Sequence, residues 1–162
     1  MGAGVMGAEG AGSGPAETDR YRTAGRTVAW LAKQVEIGLA SADLSAPQYR
    51  VLGLLDESSA VSSDLAERLA VRPPSVTAIV DGLVARGLVE RRHVVSDRRL
   101  VDHVLTDSGR QALDTADAAV ASRLADIAAC LDSADEAEQA FAGLASWRKA
   151  FGAYRLARRA AR

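Results

Sequence analysis

The stretch VRPPSVTAIVDGLVARGLVERRHVVSDRRLVDHVLT, residues 71–106, decides how this chain folds. It opens on two prolines, which are poor inside a helix but well suited to its first turn, where the missing N–H is not needed. Val76, Ile79, Val80 and Leu83 then recur at helical spacing and predict a helix from Pro73 to about Arg86. Gly87 stands where a left-handed C-terminal cap is needed. Beyond it the period changes. LVERRHVV and LVDHVLT are rich in Val and Leu, and the polar SDRR between them suits a turn. A β-hairpin turning at Ser96–Arg99 is therefore expected, with Thr106 capping the next helix.

Upstream, Ser45-Ala-Pro-Gln48 has the form of a capping box, in which the Ser hydroxyl accepts a first-turn N–H and Gln reaches back. The helix it opens points Tyr49, Leu52 and Leu55 inward. Ser62 is expected to cap a second helix in SSDLAERLA, with Asp64 near its positive end and Leu65 and Leu69 on its inner face. Helix, turn, helix and two-stranded hairpin is the order of a winged helix-turn-helix.

Longer helices flank this block. Tyr21, Ala24, Val28, Leu31, Val35, Gly38 and Ala42 recur at spacings of three and four, as do Leu113, Asp117, Val120, Leu124, Ile127 and Leu131, the last run with one acidic interruption at Asp117. Ala137, Ala140, Leu144, Trp147, Phe151 and Tyr154 form a third stripe, opened by a second capping box, Ser133 to Glu136. Such long, narrow stripes suit a seam between two chains. The fold class expected is mainly α with a small β-wing. Residues 1–19, Gly/Ala-rich, read as a flexible arm; 20–44 and 107–162 as a helical dimerisation region; and 45–106 as the winged helix-turn-helix.

Composition sets the outer limits. The 162 residues suffice for one sizeable core or two small subdomains sharing one, and the single cysteine, Cys130, excludes an intramolecular disulfide. The first residues lack the basic and apolar regions of a signal peptide, and no run of about 18 apolar residues occurs, so a cytoplasmic protein without a membrane partner is expected. The formal net charge of -1 does not itself point to nucleic acid. The distribution of charge does. Between residues 86 and 99, Arg86, Arg91, Arg92, Arg98 and Arg99 face only Glu90 and Asp97, a local excess of three positive charges.

In a winged helix-turn-helix the second helix enters the major groove by its N-terminal end. Here that end carries Arg72, Ser75, Val76 and Thr77: hydroxyls for phosphates or base edges and a methyl-bearing side chain for thymine. Its first-turn N–H groups are candidates to grip a phosphate. Arginine both forks onto phosphate and fits a narrow minor groove, and Asp97, two residues before Arg99, can hold that guanidinium in one pose.

On LSAPQYRVLGLL, SSDLAERLAVRPPSVTAIVDGLVARGLVERR and SDRRLVDHVLTDSG, the chain resembles the MarR (multiple antibiotic resistance regulator) family of bacterial transcription factors. The last segment is similar to that family's wing signature, D-R-R followed by L-T and a Gly, and the likeness spans about residues 20–155. It implies a homodimer with interlocked terminal helices, acting as a repressor on double-stranded DNA through a palindrome with half-sites roughly 34 Å apart. It implies Ser75, Val76 and Thr77 in the major groove, Arg99 aimed by Asp97 into the minor groove, and Arg98 at the backbone. A small aromatic or lipophilic effector is implied as well, for which Trp30, Tyr49 and Trp147 are candidate pocket residues. Ala78 departs from the arginine or long polar residue of many members, and the double proline occurs in only part of the family.

Other chemistries are less well provided for. Cys130 has acidic Asp126 and Asp132 as neighbours, which disfavours a thiolate, so a small buried core residue is expected. His93 and His103 lie on opposite wing strands with Asp102 beside the second, but adjacent strand residues diverge, so neither a metal nor another cofactor is expected. No Gly-rich phosphate loop or Ser/His/Asp arrangement is visible, which argues against an enzyme. The basic C-terminal YRLARRAAR reads as a solvated helix end. The rival function is a winged-helix protein-interaction module in which the arginines only solvate the surface.

Overall fold

The computed structural model describes residues 14–94 and 97–161, without the side chains of Pro15, Val94, Asp97, Arg98, Arg99 and Arg159. In chain order it contains α1 (Pro15–Ala40), α2 (Ala46–Glu57), β1 (Ala60–Val61), α3 (Ser62–Leu69), α4 (Pro73–Ala85), β2 (Val89–Val94), β3 (Asp97–Leu105), α5 (Asp107–Ala128) and α6 (Ala134–Ala160). The chain divides into two compact units, one ending at Lys33 and the other beginning at Gln34. Residues 1–13 of the expected arm lie outside the described residues, and the rest of that arm is different from expectation. The helix begins at Pro15, with Glu17 favourable in its first turn and Gly14 O accepting from the N–H groups of Glu17 and Thr18.

In the unit that begins at Gln34, one core gathers Leu39, Leu44, Val51, Leu52, Leu55, Leu65, Leu69, Val76, Val80, Leu83, Leu88, Val89, Leu105, Leu113, Ala116 and Val120. Each helix of the winged helix-turn-helix pattern thus turns one apolar face inward. The Ser45 capping box is present in both directions: Ser45 Oγ accepts from Gln48 N–H, and Gln48 Oε1 accepts from Ser45 N–H at 3.0 Å. The turn between α3 and α4 runs through Ala70 in the left-handed region, φ 55°, with Val71 N–H donating to Ala66 O.

The small sheet is antiparallel, in the order β1-β3-β2, so β3 is its centre. Ala60 and Arg91 sit opposite His103 on the two flanking strands, and Val89 sits opposite Leu105. The strand β1, only two residues long, was too short for an alternating pattern to announce.

Four segments meet in one knot. Gly87, at φ 70°, turns the chain out of α4, and Leu88 N–H donates back to Leu83 O. Thr106 N–H donates to Leu88 O, Thr106 Oγ1 donates to Gly87 O at 2.7 Å, and the same Thr106 oxygen accepts from Gly109 N–H at 2.9 Å, which caps α5. Gly109 lies so close to the base of the hairpin that a Cβ there would stand 2.0 Å from Leu88 O and 2.8 Å from the Leu105 side chain. Gly38 permits a second close approach, with its Cβ position 3.2 Å from Val120 Cα on α5, and Arg123 grips Gln34 Oε1 through Nε and Nη2 at 2.9 and 2.7 Å.

Gly109→Ala is expected to lower stability by about 3 kcal/mol, because the new methyl meets backbone rather than a side chain that can rotate away. Urea denaturation of the purified protein checks this; an unchanged midpoint would show that α5 is not seated on the base of the hairpin as described.

Candidate nucleic-acid interface

The N-terminal end of α4 is exposed and faces away from the core. Arg72 occupies its N-cap without a side-chain capping bond, and Pro73, Pro74, Ser75, Thr77 and Ala78 are all exposed. Thr77 Oγ1 donates to Pro73 O at 3.3 Å, which leaves its lone pairs outward for an incoming donor. Val76 is different. It is fully buried, on the same helical face as Val80 and Leu83, so the expectation that it meets a thymine methyl is wrong. The 3.6-residue period forbids one side chain from serving both the core and the groove.

The expectation that first-turn N–H groups grip a phosphate is also corrected. Pro73 and Pro74 have no N–H, and those of Ser75 and Val76 both donate to Arg72 O. Recognition at this end must therefore go through side chains.

The arginines divide into two groups. Arg86 donates to Asp43 O at 2.8 Å and pairs with Asp43 Oδ2 at 3.1 Å, tying the end of α4 to the turn before α2. Arg91 on β2 pairs with Asp81 on α4, Arg68 with Glu57, and Arg110 with Asp56 at 2.7 Å. Arg50 donates to Leu69 O at 3.1 Å, where α3 ends. These are braces between elements. Arg72 is exposed, and Arg92, also exposed, pairs among the described residues with Glu90, two residues away on its own strand. Asp97, Arg98 and Arg99 begin β3; their side chains, and hence the aiming of Arg99 by Asp97, lie outside the described residues.

Ser62 is not the cap expected of it. The N-cap of α3 is Val61, with no side-chain bond, and Ser62, the first helical residue, instead contacts His103 Nε2 at 2.8 Å. His103 is buried on β3 at 3% exposure, a role that sequence reasoning missed. The available signal was parity: Val101, His103 and Leu105 share one strand face. His93 is exposed on β2.

The three candidate pocket residues have distinct surroundings. Trp30 is 77% exposed on α1. Trp147 is exposed on α6, its ring tilted against Phe151 at 6.0 Å between centroids. Tyr49 is half-buried and its hydroxyl donates to Asp117. An open, mainly apolar groove of about 410 Å³ lies instead where α5 meets α6, lined by Ala125, Ala129, Leu131, Ala137 and Phe141 among others, and includes none of the three. Cys130 is exposed, not a core residue, because α5 stops at Ala128 and the thiol falls in the following turn. No described helix is long and apolar enough to cross a membrane.

A helix-turn-helix backed by a two-stranded wing, with small polar side chains at the free end of its second helix, defines a winged helix-turn-helix protein. A family model described as the MarR family matches residues 42–100. The transcriptional repressor CouR of Rhodococcus jostii RHA1, in a structure bound to a 23-mer DNA duplex, is 30% identical over 78% of this chain and 89% of its own, with a TM-score of 0.66. The chain belongs to the MarR family. MdtR of Bacillus subtilis, a transcriptional repressor, is 45% identical over 47 residues, 29% of this chain and 30% of that protein. The chain spans less than half the length of the curated relatives it matches. Wild-type MarR of E. coli, at 24% identity, shares the fold, with a TM-score of 0.69 over 77% of this chain and 93% of its own.

Burial, and then the hydrogen bond and negative charge of Asp117, push the Tyr49 hydroxyl up to about 12. Because the folded value exceeds the ordinary 10, its contribution to stability is complete below pH 10 and is lost as pH rises through 12. In an alkaline titration followed by phenolate absorbance, Asp117→Asn should bring Tyr49 ionisation to lower pH without returning it fully to the ordinary value. An unshifted titration would mean that Asp117 does not act on the phenol.

Proposed function

We propose that this protein is a homodimeric DNA-binding transcriptional regulator, a repressor, that works in the cytoplasm and reads a palindromic operator. The observation that carries the reading is the exposed N-terminal end of α4, where Arg72, Ser75 and Thr77 stand on the solvent side of a helix whose other face is core. In this reading Ser75 and Thr77 meet base edges or phosphates in the major groove, and Arg72 and Arg92 meet the phosphate backbone. Arg99, aimed by Asp97, enters the minor groove beside it, with Arg98 at the backbone. Arg86 contributes through its brace to Asp43. Small side chains at Ser75, Thr77 and Ala78 give the helix few long donors, so more of the selectivity falls to the wing and to DNA shape.

Dimerisation is supported by an apolar stripe. Phe141, Leu144, Trp147, Phe151 and Tyr154 follow one face of α6 at 41–60% exposure, more contiguous apolar surface than a lone helix carries without a partner. Two copies would present two α4 helices to half-sites about one turn of DNA apart, roughly 34 Å. Release by a small lipophilic or aromatic ligand would require only that it prefer a dimer whose DNA-binding lobes are mis-spaced.

Footprinting on the DNA upstream of the coding region should give a two-fold symmetric protected site, with an affinity that falls steeply as salt rises, because phosphate contacts release counter-ions. Arg99→Ala should cost about 1–3 kcal/mol of binding with the dimer intact. Full affinity in that variant would remove the minor-groove role, and salt-independent binding would favour a protein partner over DNA.

Replacing Phe151 by Glu places a charge in the apolar stripe. Sedimentation is expected to show a monomer whose duplex affinity is reduced together with its self-association; a dimer of undiminished stability would move the interface elsewhere.

A further inference from the structure

His103 occupies an unusual position for an ionisable side chain. It lies at the centre of the sheet, 3% exposed, between Ala60 on β1 and Arg91 on β2. Its Nε2 meets Ser62 Oγ at 2.8 Å, and its Nδ1 is buried with no partner among the described residues. The ring therefore joins the middle strand of the wing to the first turn of α3. Next to it, the Arg91–Asp81 pair joins the other wing strand to α4. The two contacts, side by side, fix the hairpin to both helices of the helix-turn-helix.

We propose that His103 is a positioning residue for DNA binding: as a neutral imidazole bonded to Ser62 it holds the wing in place, and its protonation frees the wing and weakens the hold on DNA. The second half of this inference rests on the reading of the protein as a DNA-binding regulator; the first half does not.

Protonation makes both ring nitrogens donors. The Nδ1–H would then be a buried donor without an acceptor, on a buried positive charge, and both are costly. The charges acting on the ring come from three elements. Arg91 on β2 opposes protonation, while Asp102 on β3 and Asp81 on α4 favour it. On β1 the ring has only Ala60 and Val61 beside it, and α3 brings the neutral Ser62 hydroxyl. Of the acids at the end of α2, which also packs near β3, Asp56 is bound to Arg110 and Glu57 to Arg68. Burial first, then Arg91, hold the imidazole below the ordinary value of 6.5 despite the two carboxylates. A freed wing returns the ring to water and to its ordinary value. Protons thus bind the freed state more tightly, so the closed state is fully favoured above pH 6.5 and loses ground as pH falls below it.

The test has two arms, both on the full chain. In the first, the imidazole of His103 and the backbone amides of β2 and β3 are followed by NMR against pH without DNA. His103 should titrate below the ordinary histidine range, and the amides should shift with it; an ordinary value with unmoved amides would overturn the proposal. In the second, affinity is measured for a duplex selected by the protein from a random-sequence pool at pH 8. Wild-type affinity should fall by up to about tenfold per pH unit below about pH 6.5. His103→Gln, neutral throughout, should lose that dependence, whatever its affinity at pH 8. Superimposable pH profiles for the two proteins would overturn the proposal. If His103→Gln fails to fold, the NMR arm decides. If no duplex is selected at pH 8, the regulator reading falls while the NMR arm still tests the latch.

Discussion

The winged helix-turn-helix depends on the seat of α5 against Leu88, just ahead of β2, and the end of β3. Gly87 turns the chain, Thr106 ties the end of β3 to Gly87 and Leu88, and Gly109 lets the first turn of α5 descend to the Leu88 carbonyl. No side chain fits at Gly109. Because four segments share these contacts, the base of the hairpin cannot tilt without disturbing the end of α4 and the start of α5 together. A recognition helix and a wing that address one duplex need such a fixed relation, since misplacement by even an ångström is costly where binding depends on pre-set geometry.

Charge is used twice in this lobe. A near-neutral chain with a locally basic hairpin suggests a simple cationic patch, but Arg86 and Arg91 of that stretch are spent on structure, as are Arg68 and Arg110 outside it. Arg86, Arg91, Arg68 and Arg110 each bind a carboxylate on another element. Partly exposed pairs of this kind contribute little stability singly, about 0–1 kcal/mol, so their value here is orientation. Among the described side chains of the second helix and the wing, Arg72 and Arg92 are exposed and not used as braces between elements.

The features legible in the sequence are those that local chemistry determines. Ser45 and Thr106 announce their helices because a cap needs only a hydroxyl and a nearby N–H, and Gly87 announces the turn because only glycine enters that region freely. The wing follows from a change of period. What was not legible depends on contacts across the fold. Ser62 has every attribute of a cap, yet a histidine 41 residues away takes its hydroxyl and the helix starts one residue early. Val76 was given a groove role despite sharing the spacing of Val80 and Leu83, and the core claims it. Cys130 was placed inside by its helical surroundings, but the helix ends before it. The pairing of Asp81 with Arg91 has no local signature at all, since it joins two elements through side chains that each look solvated.

In the proposed reading, DNA is met by the free end of α4 and by the wing, while the other arginines act as braces. Hydrogen–deuterium exchange of the full chain, with and without the selected duplex, tests it most directly. Protection on adding DNA is expected to concentrate at residues 72–78 and 92–100 and to be small across α6. Protection confined to the basic end of α6, with 72–78 unchanged, would contradict it.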